Sequence, residues 1–381
     1  MIYFDNAATS GKKPPSVINA VNKALTELSA NPGRSGHNLS KRASELIYET
    51  RKNVAELFGF EKTEGVIFTN NCTQSINTVL KGVLSKGDHI IITDMEHNAV
   101  MRPIAKMGLD YTAVNVSLTD DENTLLNIKN AIKPNTKMIF VTAASNVIGK
   151  KMPLKDIGSI AKENGLYFAV DGAQGGGVMD IDMEKFNIDY LSLAAHKGLY
   201  APMGTGVLLA NKDIKNTIIE GGTGTNSISL YQPEELPEKL ESGTVNLVGI
   251  AGINAGVNFV KKYKEKIVKT EENIITDFYS FLKNTENIEL YTPSFDTKNY
   301  VPVISFNVKG LNSQITASLL NDNNIAVRAG LHCAPMTHKK IGTLDFGTVR
   351  VSPGYFNTAN DLALLKKTVK KICENRKKYI E

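Results

Sequence analysis

The chain has 381 residues, 42% hydrophobic and 22% charged, with 30 Gly and 13 Pro, a globular composition long enough for one large core and a smaller second domain. Its formal net charge is +5, and the lysines of FVKKYKEKIVK and LLKKTVKKICENRKKYIE share those stretches with apolar residues at helical spacing, so they read as solvated helix faces and not as a nucleic-acid surface. No apolar run reaches the roughly 18 residues of a membrane span, and three scattered cysteines (Cys72, Cys333, Cys373) suit neither a disulfide framework nor a zinc site.

The N-terminal MIYFDNAATSGKKPP lacks the basic-then-apolar order of a secretory signal, and a reducing cytosol is the expectation. Short β-branched runs then alternate with amphipathic stretches. Strands are expected at VIFT (66–69), HIIIT (89–93), MIFVTA (138–143), YFAV (167–170), YLSLA (190–194) and GVLLA (206–210). Helical patterns such as SINTVLKGVL and LKDIGSIAKEN lie between them, the order that gives a mostly parallel sheet covered on both faces. From about residue 255 the pattern changes to a long charged helix (254–283), then VPVISFNVKG, SQITASLLNDNN and a helical C-terminus. The expected division is a large α/β domain over 14–255 and a smaller α+β domain from 256–381 joined by residues 1–13.

In open α/β sheets ligands bind beyond the carboxyl ends of the strands. Cys72, Thr73 and Gln74 follow VIFT, Glu96, His97 and Asn98 follow HIIIT, Asn146 follows MIFVTA, Asp171 and Gln174 follow YFAV, and His196 and Lys197 follow YLSLA. That alignment points to one site. Lys197, between an apolar strand and a Gly-rich turn, is a candidate Schiff-base amine. Asp171 closes a strand that reads as buried, where a carboxylate needs a cationic partner. A protonated pyridine nitrogen is such a partner, although Asp171 could equally cap the turn that follows, and Gln174 is spaced to reach the ring hydroxyl.

Thr73 and the backbone N–H groups of FTNNCTQSIN suit an anion, although Thr73 could equally be a helix N-cap. Cys72 reads as packing, and His97 is placed to stack on a flat ring. Cys333 lies in the polar loop VRAGLHCAPMTHKKIG, where Arg328, His332 and His338 would favour the thiolate. Cys373, in a helical pattern, reads as inert. Arg350 offers a planar fork for a carboxylate, either a substrate's or that of a structural salt bridge.

FDNAAT, NPGRSGH, NCTQSIN, MEHN, SNVIG, VDGAQ, AHK, ESGTVN, RAGLHCA and VRVSPGYFNT, in that order over residues 3 to 358, resemble the cysteine desulfurases of the class V aminotransferase family. The R-x-G-x-H-C pattern is similar to their second group, which includes selenocysteine lyases. The resemblance implies a fold type I pyridoxal 5'-phosphate enzyme with a seven-stranded, mostly parallel sheet. It also implies a homodimer whose product sulfur passes through an enzyme persulfide to a thiol or protein acceptor, as in iron–sulfur cluster assembly.

By position, Lys197 matches the Schiff-base lysine, Asp171 the ring-nitrogen partner and His97 the stacking residue. Gln174 and Asn146 match residues around the ring hydroxyl and substrate. Thr73, with Gln74 beside it, and His196 match phosphate ligands, and Thr244 a phosphate contact given across the dimer. Cys333 matches the persulfide cysteine, and Arg350, beside Arg328, the carboxylate clamp. Asn6 and Ala7 match the N-terminal lining of the substrate pocket. Ala194 stands where many relatives carry a phosphate-binding serine, with Ser192 on the same strand face. Selenocysteine lyase, transaminase, epimerase and sulfinate lyase chemistry, or a non-catalytic binding module, are the rival expectations.

Overall fold

The computed structural model describes residues 1–33 and 35–379. Arg34 of NPGRSGH and the last two residues of the C-terminal lysine-rich stretch lie outside the described residues. A short first strand, β1 (Ile2–Tyr3), is followed by seven strands that form one sheet. These are β2 (Val66–Thr69), β3 (His89–Thr93), β4 (Asp110–Val114), β5 (Thr136–Thr142), β6 (Tyr167–Asp171), β7 (Tyr190–Ala194) and β8 (Gly206–Ala210).

The sheet order is β2-β8-β7-β6-β5-β3-β4. β8 runs antiparallel to both its neighbours, and every other pairing is parallel. Strand residues alternate between two apolar layers. Ile91, Val141, Val170, Leu191 and Leu209 face one core, whereas Ile90, Phe140, Ala169, Tyr190 and Leu208 face the other. Burial on both faces explains the nearly continuous apolar runs, each fully buried aliphatic side chain contributing about 1.5–3 kcal/mol.

Four further strands build a second sheet, β9 (Ile288–Leu290), β10 (Ile304–Val308), β12 (Arg328–Gly330) and β13 (Thr348–Val351), in the order β12-β13-β10-β9, all antiparallel. Between β10 and β12 lies β11 (Ile325–Ala326), which pairs in parallel with β1 and so ties the N-terminal segment to this second sheet. The helix Leu247–Lys283 links the two sheets. Ile253, Val257, Val260 and Ile267 pack into the large-sheet core, and Ile274 to Leu282 into the core of the second sheet. The change of core thus falls between 267 and 274, inside one helix, some way past position 255.

Candidate active site

Asp171 ends β6, between Thr142 of β5 and Ser192 of β7, and is 3% exposed. Its Oδ1 accepts the Ala173 N–H at 2.9 Å and the Cys72 thiol at 3.4 Å. Cys72 opens the helix Cys72–Val83, so the residue read as packing donates to the central carboxylate. Burial and the Asp171 charge push that thiol well above the ordinary range, which keeps it a donor. Oδ2 of Asp171 has no hydrogen bond from the described residues.

Lys197 follows β7 in a turn closed by Lys197 N–H to Ala194 O at 3.1 Å and Tyr200 N–H to Lys197 O at 3.0 Å. Burial lowers its amine pKa, with Asp171 and Cys72 opposing and Arg350 and Arg328 adding to the fall. His97 caps the helix Asn98–Met107. Its Nδ1 accepts the Ala99 N–H at 3.0 Å, which leaves the ring proton on Nε2. Burial lowers its pKa, and the charges of Asp171, Lys197 and Arg328 all reach it.

The end expected to bind an anion differs from the sequence reading in one respect. Asn71, not Thr73, is the N-cap of Cys72–Val83, accepting the Gln74 N–H at 2.9 Å. Thr73 therefore has no capping duty. Its side chain is exposed and its hydroxyl has no partner among the described residues. Gln74 Oε1 accepts the Asn70 N–H at 2.8 Å.

The His196 imidazole is driven down to about 4 by burial and by the charges of Lys197 and Lys13, and its buried Nδ1 has no partner among the described residues. Ala194 and Ser192 are both buried. Thr244 is exposed and stands apart from Lys197, on a groove of about 190 Å³ that it shares with Asn70, Gln74 and Thr205.

At the opposite end, Arg350 sits in β13, paired with Arg328 of β12 and Ser305 of β10, and is 1% exposed. Two like charges opposite each other need compensation. Asp5 supplies it at 2.8 Å from Nη2, and Nη1 donates to Asn146 O at 2.9 Å. Arg350 Nε is buried without a partner. Sequence reasoning missed Asp5, although it stands in FDNAAT next to the expected lining residues. Asn6 Nδ2 donates to Ser352 O at 3.1 Å, Ala7 N–H to Ser352 Oγ at 2.9 Å, and Gln174 Nε2 to Ala7 O at 3.0 Å. Asn6, Ala7, Gln174 and Lys197 line one cavity of about 50 Å³ with Tyr200 and Glu271.

Cys333 is exposed and the other two cysteines are buried. Its carbonyl accepts the Asn98 N–H at 2.8 Å, and Asn146 Nδ2 donates to His332 O at 2.7 Å. The loop is thereby fastened to the segment that carries His97 and to Asn146, whose carbonyl accepts from Arg350. His332 and Cys333 both have left-handed backbone (φ +48° and +59°), an uncommon conformation for non-glycine residues that surrounding bonds must hold.

The histidines do not support the thiolate argument. His332 is buried, donates Nε2–H to Thr348 O at 3.1 Å, and burial with the Arg350 charge drives it down to about 2. His338 is buried against Thr343 and is lowered to about 4. Both are neutral at physiological pH and lend Cys333 no charge, which leaves Arg328 as the cation of the three.

Comparison with known proteins agrees with this arrangement. The class-V aminotransferase family profile matches residues 2–365. A probable cysteine desulfurase of Pyrococcus abyssi is 33% identical, over 98% of this chain and 95% of its own length. A cysteine desulfurase of Haloferax volcanii is 32% identical, over 90% of this chain and 83% of its own. The apo structure of a cysteine desulfurase from Thermococcus onnurineus superposes with a TM-score of 0.90 at 32% identity, covering 98% of this chain and 95% of that one. The chain belongs to the class-V aminotransferase family.

Proposed function

We propose that the chain is a pyridoxal-phosphate-dependent cysteine desulfurase that converts L-cysteine to L-alanine and takes the sulfur onto Cys333. The observation that carries this reading is the Cys333 loop. Its exposed thiol is the chain's one accessible cysteine sulfur, and its backbone is bonded to Asn98 beside His97 and to Asn146, itself bonded to Arg350.

The donor set fits the cofactor. Asp171 keeps Oδ2 free for a ring N–H, Lys197 is a buried amine of lowered pKa, and the Thr73 hydroxyl and the helix start beside it suit a phosphate. When bound, the cofactor supplies an electron sink for the substrate α-carbon.

In this reading Arg350, with Arg328, holds the substrate carboxylate and Asp171 keeps the ring-nitrogen proton in place. His97 would stack on the ring, Gln174 and Asn146 would hold its hydroxyl and the substrate, and Asn6 and Ala7 would wall the pocket. Lys197 moves the α-proton. The Cys333 thiolate attacks the substrate sulfur, so that an S–S bond forms as the C–S bond breaks. The electron pair of that bond stays on the β-carbon, which takes a proton to give alanine, and the enzyme is left as a persulfide. A thiol or protein acceptor then reduces the persulfide and carries the sulfur onward.

The family likeness extends the proposal to a cytoplasmic homodimer, with Thr244 of the partner subunit, Thr73, Gln74 and His196 around the phosphate, and to sulfur supply for iron–sulfur cluster assembly. The proposal also takes 14–255 as the cofactor-binding domain. Cys333→Ala tests the reading. The variant should keep the cofactor's absorption band, and desulfuration of cysteine should vanish. Selenocysteine turnover that survives in Cys333→Ala while cysteine turnover is absent from the wild type would replace it with a lyase.

A further inference from the structure

Four donors from residues 9–13 converge on one carbonyl, that of His196. The Ser10 N–H lies at 3.0 Å, the Thr9 hydroxyl at 3.0 Å, the Ser10 hydroxyl at 3.1 Å and the Lys13 ammonium at 3.1 Å. A carbonyl has two lone pairs, so this one is over-supplied, and the charged donor makes the strongest bond. Lys13 also donates to Ser10 Oγ at 2.6 Å. It has no acidic partner among the described residues, and burial pulls its amine down to about 8. A half-buried cation with no counter-charge is costly. Its position is explained by the carbonyl dipole it points at.

That carbonyl belongs to the peptide that begins Lys197. The N–H of the same peptide donates to Ala194 O at 3.1 Å, so both polar atoms of the His196–Lys197 peptide are held. The donating segment is itself fastened. Tyr3 OH donates to Thr9 O at 3.1 Å, and the Gly11 N–H to Asn6 Oδ1 at 3.1 Å.

We propose that Lys13 is a positioning residue for Lys197, clamping the His196–Lys197 peptide through the His196 carbonyl and locking the root of the cofactor-binding side chain to the N-terminal segment. The inference rests on the reading of Lys197 as the residue that holds pyridoxal phosphate. Four methylenes separate the Lys197 amine from its backbone, so a shift at the root is carried to the reacting atom.

The test compares wild type, Lys13→Met, Lys13→Arg and Lys197→Ala. Three readouts are taken: acylation of Lys197 in cofactor-free protein by peptide mass, growth of the absorption band on adding pyridoxal phosphate, and kcat and KM for cysteine. Lys13→Met should alter the acylation rate, slow band growth and lower kcat by about tenfold or more, with KM little changed, since misplacement of about 1 Å can cost about a hundredfold. Lys13→Arg, which keeps a charged donor, should restore most of the loss. Normal acylation, band growth and kcat in Lys13→Met would overturn the proposal alone, as would an arginine variant no better than the methionine one. A band that forms normally in Lys197→Ala would overturn the underlying reading and the proposal with it.

Discussion

Asp5 and Arg350 form an ion pair at one end of the candidate site, and its strength is measurable. Arg350→Met removes a guanidinium with 2% side-chain exposure whose partner has 19%. Removing one member of a fully buried pair costs about 3–5 kcal/mol. Water reaches Asp5 in part, which places the loss near the lower bound, about 3 kcal/mol. The hydrogen bond from Nη1 to Asn146 O adds about 1 kcal/mol.

Asp5→Asn alone leaves Arg350 beside Arg328 with no counter-charge and should also destabilise. Combined, the two substitutions leave neither charge stranded, so the double variant should fall short of the summed losses by about 2 kcal/mol. Urea unfolding of the cofactor-free protein, followed by circular dichroism, completes the cycle. Losses that add within about 0.5 kcal/mol would refute the pair as the device that holds Arg350 in place.

Other consequences are more quickly checked. Iodoacetamide on the native, cofactor-free protein should modify Cys333, because Cys72 and Cys373 are buried and burial raises both thiols, Cys373 to about 11; peptide mass mapping that finds Cys72 alkylated first would contradict this. Glu96 is buried, accepts from Thr93 Oγ1 at 2.6 Å and the Thr142 N–H at 3.0 Å, and burial pushes it up to about 8. Between its ordinary value of 4.5 and about 8 the folded state holds a proton that the unfolded state has lost, so this group lowers stability as pH rises through that window. Glu96→Gln should therefore gain on wild type from pH 5 to pH 8, and parallel urea curves at the two pH values would exclude the protonated form. A methyl group at Gly198 would overlap the Gly176 carbonyl, so Gly198→Ala should cost about 1–3 kcal/mol and slow cofactor uptake, whereas an unchanged melting temperature would show that the turn yields freely.

The large sheet was legible because its strands are buried on both faces. VIFT, HIIIT, YLSLA and GVLLA have the bounds expected, and MIFVTA and YFAV shift by one or two residues. Asp110–Val114 was missed because an edge strand with exposed Asp110 and Tyr111 carries no apolar run. The reversed direction of Gly206–Ala210 leaves no mark in its composition.

The long helix begins at Leu247, ahead of the expected start at 254, and its first turns carry Gly249, Gly252 and Gly256, which weaken a helical pattern. Those glycines instead admit neighbouring chain, and a side chain at Gly256 would strike Leu199 O. The strand-end rule located the residues that follow the parallel strands. The contacts that join them span the chain, as in Asp5 with Arg350, Cys72 with Asp171 and Lys13 with His196, and local pattern carries no trace of such pairs. The basic look of the Cys333 loop misled for the same reason, since burial of His332 and His338 is a tertiary fact.

Sulfur transfer to Cys333 is tested most directly by anaerobic incubation of the cofactor-loaded protein with L-cysteine. Alanine is quantified and the Cys333 peptide weighed with and without a thiol reductant. The expected result is one alanine per site without reductant, a Cys333 peptide heavier by one sulfur atom, and repeated turnover with sulfide release once reductant is present. Alanine formation with an unmodified Cys333 peptide, or equal turnover in Cys333→Ala, would contradict it.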